Sequence, residues 1–198
     1  MSQRNTIRLV CLDIETTGFN IFHNNIIEIA ARDNLGNHFE TLISCDSVLP
    51  PKIIEITKIT NNMLKGAPKI DDALSNLIDF INGVNIGLPR KKQATYLIGH
   101  NAVSFDIPFI KAQCIRNNLL FPDIKVLDTM RMSQYIIPNL YSHALKALCS
   151  YFNCENENAH RAMSDVNATY NIFSILCELF NKPDKRFTLD NIYHITSI

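Results

Sequence analysis

The sequence lacks a net charge, long apolar runs and paired cysteines. Its 19 basic and 19 acidic side chains cancel, which argues against a protein that coats nucleic acid through a broadly basic surface. No apolar run approaches the roughly 18 residues that span a bilayer, and the first residues lack the features of a secretory signal. None of the six cysteines belongs to a Cys-x-x-Cys pair. We therefore expect reduced thiols in an intracellular, cytoplasmic protein without a membrane segment.

Internal repeats and low-complexity segments are also missing. Hydrophobic residues make up 46% of the 198 positions, an ordinary share for a globular protein. This length is enough for one domain with a sizeable core. We predict a single domain over residues 1–180, followed by a C-terminal tail over residues 181–198 that shows no clear period.

Strands dominate the first part of the sequence. Residues 7–14 are apolar nearly throughout, as in a central strand that is covered on both faces. Residues 26–31 and 38–44 read as two further strands, and the short turn between them makes them antiparallel. A fourth, short strand is predicted at residues 96–99, among helices. This order predicts the α/β class, with helices packed on a mixed sheet.

Helical spacing of apolar residues predicts four helices. They cover residues 70–83, a segment that begins near residue 106, residues 142–152 and residues 162–180. Residues 50–68 are predicted as an irregular connection, and residues 85–93 as an exposed loop. The basic triplet Arg90–Lys92 in that loop is interpreted either as a nucleic-acid contact or as solvated. The same alternatives hold for Lys182, Lys185 and Arg186.

Two acids follow the apolar part of the first strand. Asp13 and Glu15 lie two residues apart, so both side chains point to the same face of the sheet. Leu9 and Cys11 precede them on that face, and two buried like charges are unfavourable unless a cation compensates them. The alternative is that both acids have left the sheet for a solvated turn.

A second polar segment, Gly99–Asp106, runs from the end of a strand into a helix. Ligands of open α/β sheets collect at the carboxyl ends of strands, where this segment and the first two acids would meet. The alternatives are a helix N-cap for Asp106 and local backbone hydrogen bonds for His100 and Asn101.

A third segment places His160 five residues before Asp165, in the first turn of the last predicted helix. Asp165 lies at the margin of the buried helix face and should point toward the sheet. The alternatives are a solvated loop histidine and an acid that is favoured by the helix dipole.

These acids and the histidine all fall at element ends that this topology brings together. Four carboxylates carry a charge of about −4, which two divalent cations neutralise, and hard oxygen ligands favour Mg²⁺ or Mn²⁺ over zinc. Two such ions stabilise the attacking and leaving oxygens of a phosphodiester displacement. A histidine can take a proton near neutral pH, which makes His160 the candidate base.

Three segments resemble, in order, the motifs of the DEDDh branch of the DnaQ-like 3′→5′ exonucleases. They are Asp-Ile-Glu-Thr-Thr-Gly (13–18), Gly-His-Asn-Ala-x-x-Phe-Asp (99–106) and His-Arg-Ala-x-x-Asp (160–165). Weaker similarities at residues 26–29, 56–68 and 127–130 extend the resemblance over roughly residues 6–180. The resemblance implies an RNase H-like fold, a five-stranded mixed sheet flanked by helices.

The resemblance also implies a set of site residues. Two Mg²⁺ or Mn²⁺ ions would be held by Asp13, Glu15, Asp106 and Asp165, with His160 as the general base. The terminal nucleotide would be held by Thr16, Thr17, Gly18 and Phe19, with Asn101 and Phe105 as further contacts.

The implied activity is release of nucleoside 5′-monophosphates from a 3′ end. DNA is the favoured substrate, as a single strand or a frayed end, because the nearest resemblance is to proofreading subunits and domains of DNA polymerase III. A DNA polymerase is therefore the candidate partner. The alternatives are an RNA exonuclease of the same family and a non-catalytic nucleic-acid-binding or polymerase-associated module.

Overall fold

The computed structural model describes residues 7–84, 94–181 and 188–196. The loop predicted at residues 85–93, with its basic triplet Arg90–Lys92, lies outside these residues, as do Lys182, Lys185 and Arg186. Among the helices described, none is both long and apolar enough to cross a bilayer.

The described residues form a five-stranded mixed sheet, as predicted. Its strands are β1 (Arg8–Thr16), β2 (Ile26–Asp33), β3 (His38–Leu42), β4 (Thr95–Gly99) and β5 (Lys125–Asp128). The spatial order is β3-β2-β1-β4-β5. Strand β2 is antiparallel to both of its neighbours, whereas β1, β4 and β5 are parallel. This sheet confirms the predicted RNase H-like architecture.

Helices cover both faces of the sheet. They are α1 (Pro51–Thr57), α2 (Asn61–Leu64), α3 (Ile70–Asn82), α4 (Asp106–Arg116), α5 (Thr129–Ile136), α6 (Leu145–Phe152), α7 (Ala162–Phe180) and α8 (Leu189–Thr196). On one face, Val10 and Leu12 of β1 pack in a core with α3 and α4. On the other face, Cys11 packs with α5, α6 and α7. The predicted central strand is therefore covered on both sides, which explains its nearly continuous apolar sequence.

Arg8 at the start of β1 ties three elements together inside the protein. Its Nε lies 2.9 Å from Oδ2 of Asp33 at the end of β2. Its Nη1 donates to the carbonyl oxygens of Phe80 and Ile81 in the last turn of α3, at 2.7 and 2.8 Å. The buried guanidinium thus pairs with a carboxylate and with two carbonyl groups in the last turn of α3, of which that of Phe80 also accepts from the backbone N–H of Gly83.

All four predicted helices are present: those over residues 70–83, 142–152 and 162–180 and the one near residue 106. The helix predicted over residues 142–152 begins at Leu145. The prediction of an irregular connection over residues 50–68 is wrong, because α1 and α2 lie there. These helices are short, and each buries only one residue, so they have no apolar period to detect. Strand β5, with four residues, and helices α5 and α8, with eight residues each, were also not predicted.

Candidate active site

A cavity of about 400 Å³ lies where β1 and β4 end. All five residues predicted to carry chemistry line this cavity: Asp13, Glu15, Asp106, His160 and Asp165. They come from one strand, the starts of two helices and one loop, which are distant in sequence. The expected convergence at the carboxyl ends of the strands is therefore present in the structure.

Asp13 and Glu15 both lie within β1, which continues to Thr16. The alternative of a solvated turn is therefore wrong. Burial, followed by the charges of Asp106 and Asp165, raises the pKa of Asp13 well above its usual range. Burial likewise raises the pKa of Glu15 to about 8, and nearby carboxylates add to the shift. The strand thus presents two acids that are costly to ionise without a cation.

Asp106 is the first residue of α4, and its carboxylate reaches across to β1. Its Oδ1 accepts a hydrogen bond from the backbone N–H of Ile14 at 3.1 Å. Phe105 occupies the N-cap position, and no side chain caps this helix, so the N-cap alternative for Asp106 is wrong. Burial raises the pKa of Asp106 to about 7, although its backbone hydrogen bonds oppose the shift.

Asp165 is fixed by two hydrogen bonds from the loop that precedes α7. Its Oδ2 accepts from the backbone N–H of His160 at 2.9 Å, and its Oδ1 accepts from Nδ2 of Asn156 at 2.7 Å. Burial still raises the pKa of Asp165. His160 itself is exposed, and its backbone has a φ of +67°, in the left-handed region that non-glycine residues seldom adopt.

The remaining predicted contacts divide into two groups. Those that line the cavity are Thr16, Gly18, Phe19, Asn101 and Phe105. Phe19 is 88% exposed, and its ring meets the Phe105 ring edge to face, with centroids 6.0 Å apart. Thr17 does not line the cavity: its hydroxyl accepts from the backbone N–H of Asn25 at 2.9 Å and closes the loop after β1.

The loop after β4 is held by Asp128, which the sequence reasoning did not single out. Its carboxylate accepts from the backbone N–H groups of Asn101 and Val103, at 3.0 and 3.1 Å. His100 bonds through Nδ1 to the hydroxyl of Thr129 at 2.9 Å. Burial lowers the pKa of His100 to about 4, so this imidazole is neutral at physiological pH.

Two walls of the cavity also escaped prediction. Helix α1 contributes Ile53, Ile56 and Thr57, within the segment that was predicted to be irregular. The start of α6 contributes Lys146. Among the lining residues that the structure describes, Lys146 is the one Lys or Arg, and its sequence context carries no signal beyond helical spacing.

The donor set fits a divalent cation. The ligand atoms of Glu15, His160 and Asp165 lie within 4.8 Å of one another, close enough to share one ion. The nearby cation Arg161 bonds instead to Glu28, with 2.7 Å between Nη2 and Oε1. Carboxylate oxygens are hard ligands that suit such ions. Burial, followed by the neighbouring carboxylates, raises the pKa values of Asp13 and Glu15, so both acids are costly to ionise without a cation.

We expect the metal-free protein to lose stability as the pH rises from about 5 to about 9. Glu15 and Asp106 have folded pKa values of about 8 and about 7, above their ordinary values, so the folded state binds more protons than the unfolded chain. Their contribution to stability is therefore complete at low pH and is lost through this window. Melting temperatures measured in a chelator across the window test this.

Adding Mn²⁺ should raise the melting temperature more at pH 8 than at pH 5, because metal and protons compete for the same oxygens. The variant Glu15→Gln is the control, and it should flatten the pH dependence. An equal pH dependence in this variant and the wild type would contradict the assignment of the effect to the cavity.

The chain matches the family model described as exonuclease over residues 10–173. It is 34% identical over 164 residues to the PolC-type DNA polymerase III of Halalkalibacterium halodurans, a match that covers 81% of this chain and 11% of the relative. It is 32% identical over 179 residues to the DNA polymerase III subunit epsilon of Treponema pallidum, which covers 86% of this chain and 76% of the relative. The chain therefore spans a small part of the PolC-type polymerases and most of the epsilon subunit.

The fold is similar to that of E. coli exonuclease I in its crystal structure with a dT13 oligonucleotide. The TM-score is 0.73 at 20% sequence identity, and the match covers 86% of this chain and 41% of the other. This likeness concerns the fold, which agrees with the five-stranded sheet described above. Because the family model spans most of the sequence, from β1 to α7, the chain belongs to the exonuclease family.

Proposed function

We propose that this member of the exonuclease family is a metal-dependent 3′→5′ exonuclease that releases nucleoside 5′-monophosphates from the 3′ end of DNA. The observation that carries the proposal is the cavity in which four carboxylates and His160 meet. The names of the relatives, DNA polymerase III subunits, support DNA as the substrate.

The ligands of two Mg²⁺ or Mn²⁺ ions would be Asp13, Glu15, Asp106 and Asp165. When bound, such a pair stabilises the attacking and leaving oxygens of a phosphodiester displacement. The chain prepares the ligands beforehand, because Asp106 is tied to the backbone of Ile14 and Asp165 to that of His160. Their oxygens are thus oriented before any ligand arrives.

His160 is the general base in this mechanism. A free ring nitrogen of its imidazole accepts the proton of the attacking water, and the exposed ring then releases that proton to solvent. The backbone N–H of His160 donates to Asp165, which ties the residue that carries the base to one of the proposed metal ligands.

The 3′-terminal nucleotide is held by the residues after β1 and β4. The paired rings of Phe19 and Phe105 offer an apolar surface on which a terminal base can stack. Thr16, Gly18 and Asn101 face the same cavity and position the sugar and phosphate. Lys146 of α6 also lines the cavity, and its positive charge suits a backbone phosphate of the DNA. Thr17 contributes indirectly, by closing the loop that carries Phe19.

We further propose that residues 1–180 form the catalytic domain and that a DNA polymerase is its partner. Both polymerase relatives match this chain over more than four-fifths of its length, although the PolC-type protein is far longer. Co-purification with the replicative polymerase of the source organism tests the partner.

The activity is tested by digestion of matched, 5′-labelled substrates with Mg²⁺ or Mn²⁺ at pH 7–9. We use single-stranded DNA, duplex DNA with a mismatched 3′ end, and RNA of the same sequence. Stepwise shortening of the DNA with release of nucleoside 5′-monophosphates is expected. Intact DNA in every lane would refute the proposal. Faster digestion of the RNA than of the DNA would identify RNA as the preferred substrate.

A further inference from the structure

Glu28 is a buried acid outside the proposed ligand set. It lies on β2, directly opposite Glu15 on β1. Its side chain is 1% exposed, and a buried carboxylate is unfavourable unless its oxygens are paired. The sheet register thus places a fifth acid beside the four carboxylates of the cavity, and the partners of Glu28 decide what it does.

Both oxygens of Glu28 are occupied by the start of α7. Arg161 donates to Oε1 from Nη2 at 2.7 Å and from Nε at 3.1 Å, and Nε also lies 3.3 Å from Oε2. The backbone N–H of Ala162 donates to Oε2 at 2.9 Å. Because the N-cap residue Arg161 supplies no capping side chain, Glu28 caps this helix from a neighbouring strand.

This clamp acts on the residue that precedes Arg161. His160 has a φ of +67°, a conformation that persists for a non-glycine residue only when its surroundings hold it. On one side, Asp165 accepts the N–H of His160. On the other side, Glu28 holds the next two residues. His160 is therefore fixed between two carboxylates, of which only Asp165 lines the cavity.

We propose that Glu28 is a positioning residue that holds His160 at the cavity through Arg161 and Ala162. The inference rests on the proposed function, in which His160 is the general base. It predicts that loss of the clamp lowers kcat and leaves KM nearly unchanged, because substrate contacts lie on the other elements of the cavity.

The test is a double-mutant cycle with Glu28→Gln and His160→Ala. The amide of Gln keeps the shape and one acceptor for Ala162 but removes the charge that pairs with Arg161. With His160 present, we expect kcat to fall about 10- to 100-fold, as for a misplaced catalytic group. In the His160→Ala background, Glu28→Gln should lower kcat less than about threefold, because the imidazole that Glu28 positions is absent.

If Glu28→Gln lowers kcat by the same factor in the wild type and in His160→Ala, the proposal is overturned, since Glu28 would then act on the carboxylates or on folding. Glu40→Gln is the matched control: it removes an exposed negative charge that also acts on Arg161, without breaking a hydrogen bond to it. Its kcat should equal that of the wild type. Arg161→Lys is the second variant, because it keeps the charge but loses the two-pronged donor, and it should reproduce Glu28→Gln.

Hydrogen exchange separates this proposal from the proposed function. In Glu28→Gln, the amides of His160 and Ala162 should exchange faster than in the wild type, whether or not the protein has activity. Unchanged exchange at both amides would overturn the clamp. An inactive wild type would instead refute the exonuclease assignment, and the exchange result would still decide whether Glu28 holds His160.

Discussion

Replacing Asp13 by asparagine is expected to leave no measurable exonuclease activity while making the metal-free protein more stable. Asp13 lies at the centre of the acidic cavity, and burial with the charges of Asp106 and Asp165 raises its pKa. An ionised Asp13 is therefore unfavourable without a cation, and a neutral amide of the same shape relieves this repulsion. The same amide cannot supply the charge that a divalent ion requires.

Two measurements check this prediction: single-turnover cleavage of 5′-labelled DNA, and melting in a chelator. The control is Asp46→Asn, which removes an exposed acid outside the cavity and should change neither quantity. A folded Asp13→Asn protein that cleaves within tenfold of the wild-type rate would show that Asp13 is not part of the reaction. A lower melting temperature would show that its charge is neutralised within the protein.

Replacing His160 by alanine is expected to reduce kcat on the order of 10²–10⁴-fold, the usual contribution of a positioned acid–base group. The geometry also allows another role, because His160 has a ring nitrogen within 4.8 Å of oxygens of Glu15 and Asp165. The two roles differ in whether the protein still binds the metal after the imidazole ring is removed. If His160 is the base, the metal still binds.

The discriminating measurement is the rise in melting temperature with Mn²⁺, compared between His160→Ala and the wild type. A nearly unchanged rise with strongly reduced kcat supports the base. Loss of the rise would identify His160 as a ligand instead. His38→Ala, on an exposed position of β3 away from the cavity, is the matched control and should retain both activity and metal response.

The carboxylates were predictable from the sequence because their positions follow local rules. Strand alternation places Asp13 and Glu15 on one face, and the strand continues far enough to keep both in the sheet. Asp106 and Asp165 each lie in the first turn of a helix that apolar spacing predicts. The resemblance of three segments to exonuclease motifs then supplied the same residues independently.

Glu28 and Asp128 were not predictable in this way, because their partners are remote in sequence. Glu28 lies in an apolar strand, and its contact with Arg161 joins residues 133 positions apart. Asp128 holds a loop about 25 residues before it. The packing of α7 on β2 and the pairing of β4 with β5 bring these pairs together. Helix α1 was missed for a different reason, since seven residues with one buried position have no period.

The size of the cavity has a consequence for how errors in DNA would be selected. At about 400 Å³, it is near the lower end of small-molecule sites, and under the proposed function it would take one nucleotide rather than a base pair. A duplex end would then have to open before its last nucleotide could enter. That opening costs least when the final pair is mismatched. Under the proposed function, a mismatched 3′ end would then be distinguished from a paired one by how easily its last base pair opens. The enzyme would need no contact that reads the identity of a base.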